Sequence, residues 1–287
     1  MSIFGVAGST PSDEGFELKS VRFEDGDAPR LTWTPDDNNT VRTHWTLSCW
    51  VKLGVLGTNR DIFSSGHGSS KEFVFGLNTD NQLHVYNYTS GDDYRLKTSA
   101  EFRDPSSWYH ILCRYESSNL TTADRVQLFI NGERQTDLAG NDQPSINFAD
   151  FWTNNQPHYI SQYPLSVANH MDGYLAEAYS IDGSALEPSY FGQTNALTDQ
   201  WEPKDPALIK QAVTFGENGF YYPFSSDAVA SIINDNSNST SFWDSSADLT
   251  FGMGDEETSY QLDGYMDEIR IYNICLLYTS PSPRDRG

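Results

Sequence analysis

Basic side chains are scarce in this chain: 18 Lys and Arg stand against 40 Asp and Glu, leaving a formal net charge of −22. Such a surface offers no footprint for a phosphate backbone or an anionic lipid, which excludes nucleic acid and membrane insertion from the expected partners. The acidity fits solubility in a salty medium, with divalent cation binding as the functional alternative. Cysteine is nearly missing too. Cys49, Cys113 and Cys275 have no spacing that suggests a disulfide framework or a metal knuckle, so they read as small core residues of a protein made in a reducing compartment. No apolar run approaches the ~20 residues of a spanning helix. The opening MSIFGVAGSTPSDEG lacks the basic and apolar regions of a signal peptide, so synthesis in a cytoplasm without secretion is expected. Three sequons, at Asn87, Asn119 and Asn238, carry little meaning without such a signal.

Recognisable catalytic constellations are also lacking. There is no Gly-x-Ser-x-Gly elbow, His-Glu-x-x-His helix, phosphate loop or dinucleotide fingerprint. His44, His67, His84, His110, His158 and His170 share no metal-ligand spacing. The expectation is a protein without enzymatic activity, with no catalytic residue and no metal ligand assigned.

What the chain does hold is a succession of short apolar alternations separated by polar turns of the EDGD and PDDNN type. In HWTLSCWVK (44–52), Trp45, Leu47, Cys49 and Val51 alternate with His44, Thr46, Ser48, Trp50 and Lys52, which predicts a strand at least half buried. RDIFSS, EFVFGL, QLHVYNYT, WYHILCRYES, RVQLFINGE and HYISQY follow at intervals, and no stretch of ten or more residues keeps a helical period. The class is all-β.

The segment MDGYLAEAYSID, Met171 to Asp182, returns as LDGYMDEIRIYN, Leu262 to Asn273. Each copy reads as a strand entered through an Asp-Gly turn. This pattern resembles the closing strand of laminin-G-like domains of the concanavalin A-like lectin/glucanase class. SVRFEDGDAPRLTWTP, TLSCWVKLG, DPSSWYHILCRYE, RVQLFINGE and DGYLAEAYSIDGSALEPSYFG follow in the order found in such domains of bacteriophage virion proteins, especially marine ones. The resemblance implies a two-sheet antiparallel β-sandwich, a concanavalin A-like jelly roll, displayed on a virion and extracellular after release from a host cytoplasm. It implies a carbohydrate-binding role toward glycan or host-surface polysaccharide, with other virion proteins as further partners. A purely structural capsid or tail decoration, and a polysaccharide-degrading hydrolase or lyase, stay open as alternatives.

The organisation expected is a leader (1–15), the sandwich (16–194), a connecting segment (195–241), the closing strands of an incomplete second repeat (242–273) and a tail (274–287). Phe220 to Phe224 reads as a short strand, and the tail, ICLLYTSPSPRDRG, resembles a translated sequencing adapter of the kind met in metagenomic reads.

For catalysis a retaining glycosidase needs two carboxyl groups ~5 Å apart, which a strand supplies from positions two apart. Glu177 is five residues from both Asp172 and Asp182, and Asp267 adjoins Glu268, so each pairing points to opposite faces. Glu177 and Glu268 read as structural carboxylates accepting hydrogen bonds. For binding, the candidate strip lies in QLHVYNYT: with Leu83 and Val85 toward the core, His84, Tyr86 and Tyr88 face outward, with Tyr94 and Arg95 extending the row. Asp92, Asp93 and Arg95 are expected to take sugar hydroxyls. No cofactor is assigned; calcium remains open, because the resembling family often holds it at a loop rim, here Asp172 with Asp92 or Asp93.

Overall fold

The computed structural model describes residues 19–35, 42–68, 70–152, 154–224 and 233–235. The leader, the repeat at 242–273 with Asp267 and Glu268, and the tail all lie outside the described residues.

Strands form at the alternations read from the sequence, and others form between and beyond them. In chain order they are β1 (Val21–Phe23), β2 (Leu31–Trp33), β3 (His44–Leu53), β4 (Arg60–His67), β5 (Lys71–Leu77), β6 (Leu83–Tyr88), β7 (Asp92–Thr98), β8 (Tyr109–Glu116) and β9 (Val126–Ile130). Then come β10 (Glu133–Arg134), β11 (Leu138–Asp142), β12 (His158–Ile160), β13 (Gly173–Asp182), β14 (Gly192–Thr194), β15 (Trp201–Pro203), helix α1 (Pro206–Ala212), β16 (Phe220–Tyr222) and β17 (Ile233–Asp235).

Two sheets form. The first runs β1-β13-β3-β8-β9-β10, with β16 continuing the edge of β13 that β1 begins; the second runs β11-β7-β6-β5-β4-β12-β2-β17. Pairing is antiparallel except for β17 on β2. The chain is therefore an all-β, two-sheet sandwich. Its core is built from the inward half of each alternation: Trp45, Leu47, Cys49 and Val51 of β3 meet Phe63, Phe73, Phe75, Val85 and Leu96 of the opposite sheet. Trp45 lies flat on Tyr115 at 4.9 Å and edge-on to Phe73 at 5.4 Å, so aromatic volume fills the space between the sheets.

The other face of the first sheet is buried as well. Leu112, Phe129, Tyr179 and Ile181 form a second core with Phe191, Ile209, Val213 and Tyr221. The covering residues come from the turn just before β14, from α1 and the residue after it, and from β16, mostly within the stretch expected to be a connecting segment. Helix α1 starts as local chemistry dictates: the Asp205 carboxylate accepts from Ala207 N–H at 2.8 Å, and Pro206 occupies the first turn, where a missing N–H costs nothing. β3 is buried on both faces, Thr46, Ser48 and Trp50 included, in keeping with a strand that alternation predicts to be at least half buried.

Candidate binding surfaces

The strip predicted on β6 divides. Leu83 and Val85 do point into the core, which stabilises the sheet by about 1.5–3 kcal/mol each. Register then fixes the neighbours: one row across the second sheet is Ser64, Val74, Tyr86 and Arg95, and the adjacent row is Phe73, Asn87 and Tyr94. Tyr86 and Arg95 share the outward face. Tyr94 does not; it is wholly buried in the core, and its hydroxyl donates to the Asp150 carboxylate. Tyr94 is thus corrected from binding residue to core residue, because consecutive residues on a strand face opposite ways and only one of Tyr94 and Arg95 can extend the strip.

His84 and Tyr86 also need correction. Both face outward, yet they are only 9% and 8% exposed. The Arg95 guanidinium lies 4.2 Å over the Tyr86 ring, a cation–π cover that occupies the face a sugar would stack on. Arg95 is fixed there by a forked ion pair to Asp92, Nε at 2.8 Å and a terminal nitrogen at 2.9 Å. The segment between β12 and β13 reaches the same face: Tyr163 donates to Glu72, and Asn169 to Asp61 at 2.9 Å. Burial, with Arg95 and Lys97 nearby, pushes His84 down to about 3, so its ring stays neutral. Burial likewise pushes the Asp61 carboxyl up to about 7. Tyr88 alone of the three β6 positions remains half-buried, at the end of the strand. What sequence reasoning names as a row of stacking rings is a tied polar network.

The loop-rim grouping is different from the expected one. Asp92 is taken by Arg95 and Asp93 by Thr89 at 2.9 Å, both on the second sheet. Asp172 instead gathers with Glu24 and Asp25, their carboxylate oxygens within 4.8 Å of one another. Each is answered by the protein itself: Glu24 by Arg22, Asp25 by Arg60 at 3.0 Å, and Asp172 by the Val55 N–H at 3.2 Å. The trio is thus already engaged by protein groups, the Arg60 guanidinium among them.

Glu177 sits at a β-bulge of β13 with φ of 51°. Its carboxylate accepts from Tyr179 at 2.8 Å and from Tyr221 at 2.9 Å, closed in beside the second core. Burial raises its carboxyl above the ordinary range. This is the structural, hydrogen-bond-accepting role expected of it.

A surface that the sequence reading missed lies at the far edge of the first sheet. The two-residue Asn131-Gly132 turn joins β9 to β10, both residues at positive φ of 48° and 82°, the geometry for which Asn-Gly is chosen. Facing it, β14 and β15 form a hairpin that carries Trp201 over Gly132 and Gly192; a β-carbon at either glycine would come within 2.6 Å and 2.5 Å of the indole. The indole stacks on His110 at 5.9 Å, and His110 stacks in turn on Trp50 at 5.2 Å. Trp201 Nε1 donates to His110 Nδ1 at 3.0 Å, while His110 Nε2 contacts Ser48 Oγ at 2.8 Å.

Between this hairpin and the start of β8 opens a groove of about 790 Å³. Trp108, Tyr109 and Trp201 supply aromatic surface, and Asn131, Glu133 and Gln200 are among the polar side chains beside them. Trp108 is 36% exposed and leans on Tyr174 at 6.4 Å. Rigid aromatic faces next to amides and carboxylates match a sugar ring, whose C–H face is apolar and whose hydroxyls need directed partners. A signal existed: parity along β8 puts Trp108 on the face of His110, away from the core set Tyr109, Ile111 and Cys113.

A model of the family described as the concanavalin A-like lectin/glucanases superfamily, laminin-G type, matches residues 25–188. Among curated proteins there is no match. Similar solved structures include the sialidase CBM40 of Ruminococcus gnavus bound to α2,3-sialyllactose, at 18% identity and TM-score 0.37, covering 47% of this chain and 75% of that one. The SAP-like pentraxin of Limulus polyphemus is similar at 14% identity and TM-score 0.39, covering 62% and 86%. Domains LG4-5 of the mouse laminin α1 chain are similar at 12% identity and TM-score 0.42, covering 63% of this chain and 46% of that chain.

Proposed function

Because this chain belongs to the concanavalin A-like lectin/glucanases superfamily, we propose that it is a non-catalytic carbohydrate-binding module that receives glycan in the groove between Trp108 and Trp201. The observation that carries the reading is the groove itself, where aromatic faces and hydrogen-bonding side chains meet in one cavity. The outward face of β6 and β7 serves it less well, since Arg95 covers Tyr86.

The module stands on a virus particle and meets host-surface polysaccharide there, outside the cell in which it is made. The support is the order of five motifs along the chain, SVRFEDGDAPRLTWTP through DGYLAEAYSIDGSALEPSYFG, which resembles phage virion proteins. The non-catalytic assignment is supported by Glu177, whose carboxylate is held by two tyrosines rather than set in a cleft.

A glycan array probed with the full chain and with Trp108→Ala tests this. Retention of at least one glycan by the native protein, weakened about tenfold or more in the variant, is expected. An array with no Trp108-dependent signal would leave the structural decoration role as the better reading.

A further inference from the structure

The two sides of the groove come from different parts of the chain. Ser107, Trp108, Tyr109, Asn131, Gly132 and Glu133 lie within the family-matched segment, whereas Thr194, Asp199, Gln200 and Trp201 lie beyond residue 188. Their charges have one sign. Glu133 and Asp199 are the charged lining residues, and no Lys or Arg lines the cavity. Of the cations around it, Arg134 pairs with Asp124 and the Ala123 carbonyl, Arg103 with Glu101, and Lys204 with the Ser189 carbonyl, while Lys52, paired in register with Tyr174, stands behind Trp108 outside the lining.

We infer that this groove, completed by the β14–β15 hairpin, selects uncharged hexose or pentose polysaccharide and rejects uronate, sulfate and sialyl sugars. The inference rests on the glycan-binding reading of the same site. A uronate carboxylate or sulfate ester entering the groove would meet two carboxylates and no cation in the lining, in the field of a protein carrying net charge −22. A neutral pyranose meets none of this: its apolar face can lie on Trp108 or Trp201, and its hydroxyls can donate to Glu133 and Asp199 and exchange hydrogen bonds with Asn131 and Gln200. Trp201 is suited to be a fixed wall because His110 and its ring nitrogen hold it. Trp108, more exposed, is the face a ligand can still cover.

Affinity electrophoresis of the full chain at low ionic strength separates the outcomes. The probes are laminarin, mannan and xylan on one side, and alginate, polygalacturonate and carrageenan on the other. Retardation is expected on at least one neutral polymer and on none of the acidic ones, and Trp108→Ala should weaken it about tenfold or more. Glu133→Lys combined with Asp199→Lys should reverse the preference by creating affinity for an acidic polymer. Trp108-dependent retardation of native protein on an acidic polymer would overturn the selectivity while leaving the glycan-binding reading intact. Retardation on no polymer, or retardation unaffected by Trp108→Ala, would overturn both. Circular dichroism of the variants, all altered at exposed positions, confirms that folding is not the cause.

Discussion

Trp201 Nε1 donates to His110 Nδ1 at 3.0 Å, which joins the β14–β15 hairpin to the face of the sandwich through one hydrogen bond. Because Nδ1 accepts, the proton of the neutral ring sits on Nε2, beside Ser48 Oγ. Burial holds His110 down at about 3. Nitrogen NMR should therefore find His110 as the neutral Nε2–H tautomer down to about pH 4. A ring that charges near pH 6 would refute the arrangement. The sign for stability follows: with the folded value below the unfolded one, the His110 contribution is complete above about pH 6.5 and is lost as pH falls toward 3.

Removing the donor while keeping a ring isolates this bond. Trp201→Phe should lower the unfolding free energy by about 1–3 kcal/mol, since it strands a buried imidazole nitrogen. Thermal unfolding of the variant measures it, and an unchanged midpoint would mean that stacking alone holds the hairpin.

Tyr94 offers the contrasting case, a residue that looks like a lectin aromatic and is part of the core. Tyr94→Phe should destabilise the fold by about 1–3 kcal/mol, because Asp150 loses its hydroxyl donor, yet leave glycan binding unaltered. Burial pushes Asp150 up to about 7, so its acid form is favoured in the folded state. Its effect on stability thus turns unfavourable as pH rises from about 4 to 7, opposite to that of His110. Chemical denaturation of the variant and the parent across this window, with the glycan array alongside, checks both halves.

Glu177 is the carboxylate a glucanase reading would choose, and its environment argues otherwise. Glu177→Gln should leave any release of reducing ends from laminarin or agarose at the buffer blank, where the native protein also lies. Because burial raises the folded carboxyl, the native protein should lose stability relative to this variant as pH climbs above the ordinary carboxylate range. Activity above the blank that disappears in the variant would restore catalysis.

Ending the chain at residue 188, where the family match stops, should unfold or aggregate the protein. Leu112, Phe129, Tyr179 and Ile181 would lose the cover of Phe191, Ile209, Val213 and Tyr221, at a cost on the order of 5 kcal/mol or more. A soluble, cooperatively melting product would show that the second core is dispensable.

How much of this was legible follows from what local pattern can encode. Alternation in HWTLSCWVK and QLHVYNYT places Trp45, Leu47, Leu83 and Val85 correctly, and Phe220–Tyr222 is the strand expected there, because the period of two is set by the backbone itself. The same period already forbids Tyr94 and Arg95 from sharing a face. It does not foresee Arg95 lying over Tyr86, since that cover arises between strands. Nor does it pass through Glu177, where the bulge interrupts the parity on which the carboxylate spacing argument depended. The groove escaped because its halves are distant in sequence, and Trp108 gains meaning only once Trp201 is opposite it.

The hairpin has one more consequence, for how such a protein changes over generations. Its tip, the six-residue turn 195–200 between β14 and β15, carries Leu197 at 96% exposure, while the anchoring contacts belong to Trp201 and the glycines beneath it. Substitutions at Gln200 can therefore accumulate with little penalty to folding, whereas Asp199, at φ of 56°, holds a left-handed backbone that favours Asp, Asn or Gly. Recognition by the proposed groove can thus change at this turn while the sandwich beneath it stays as it is.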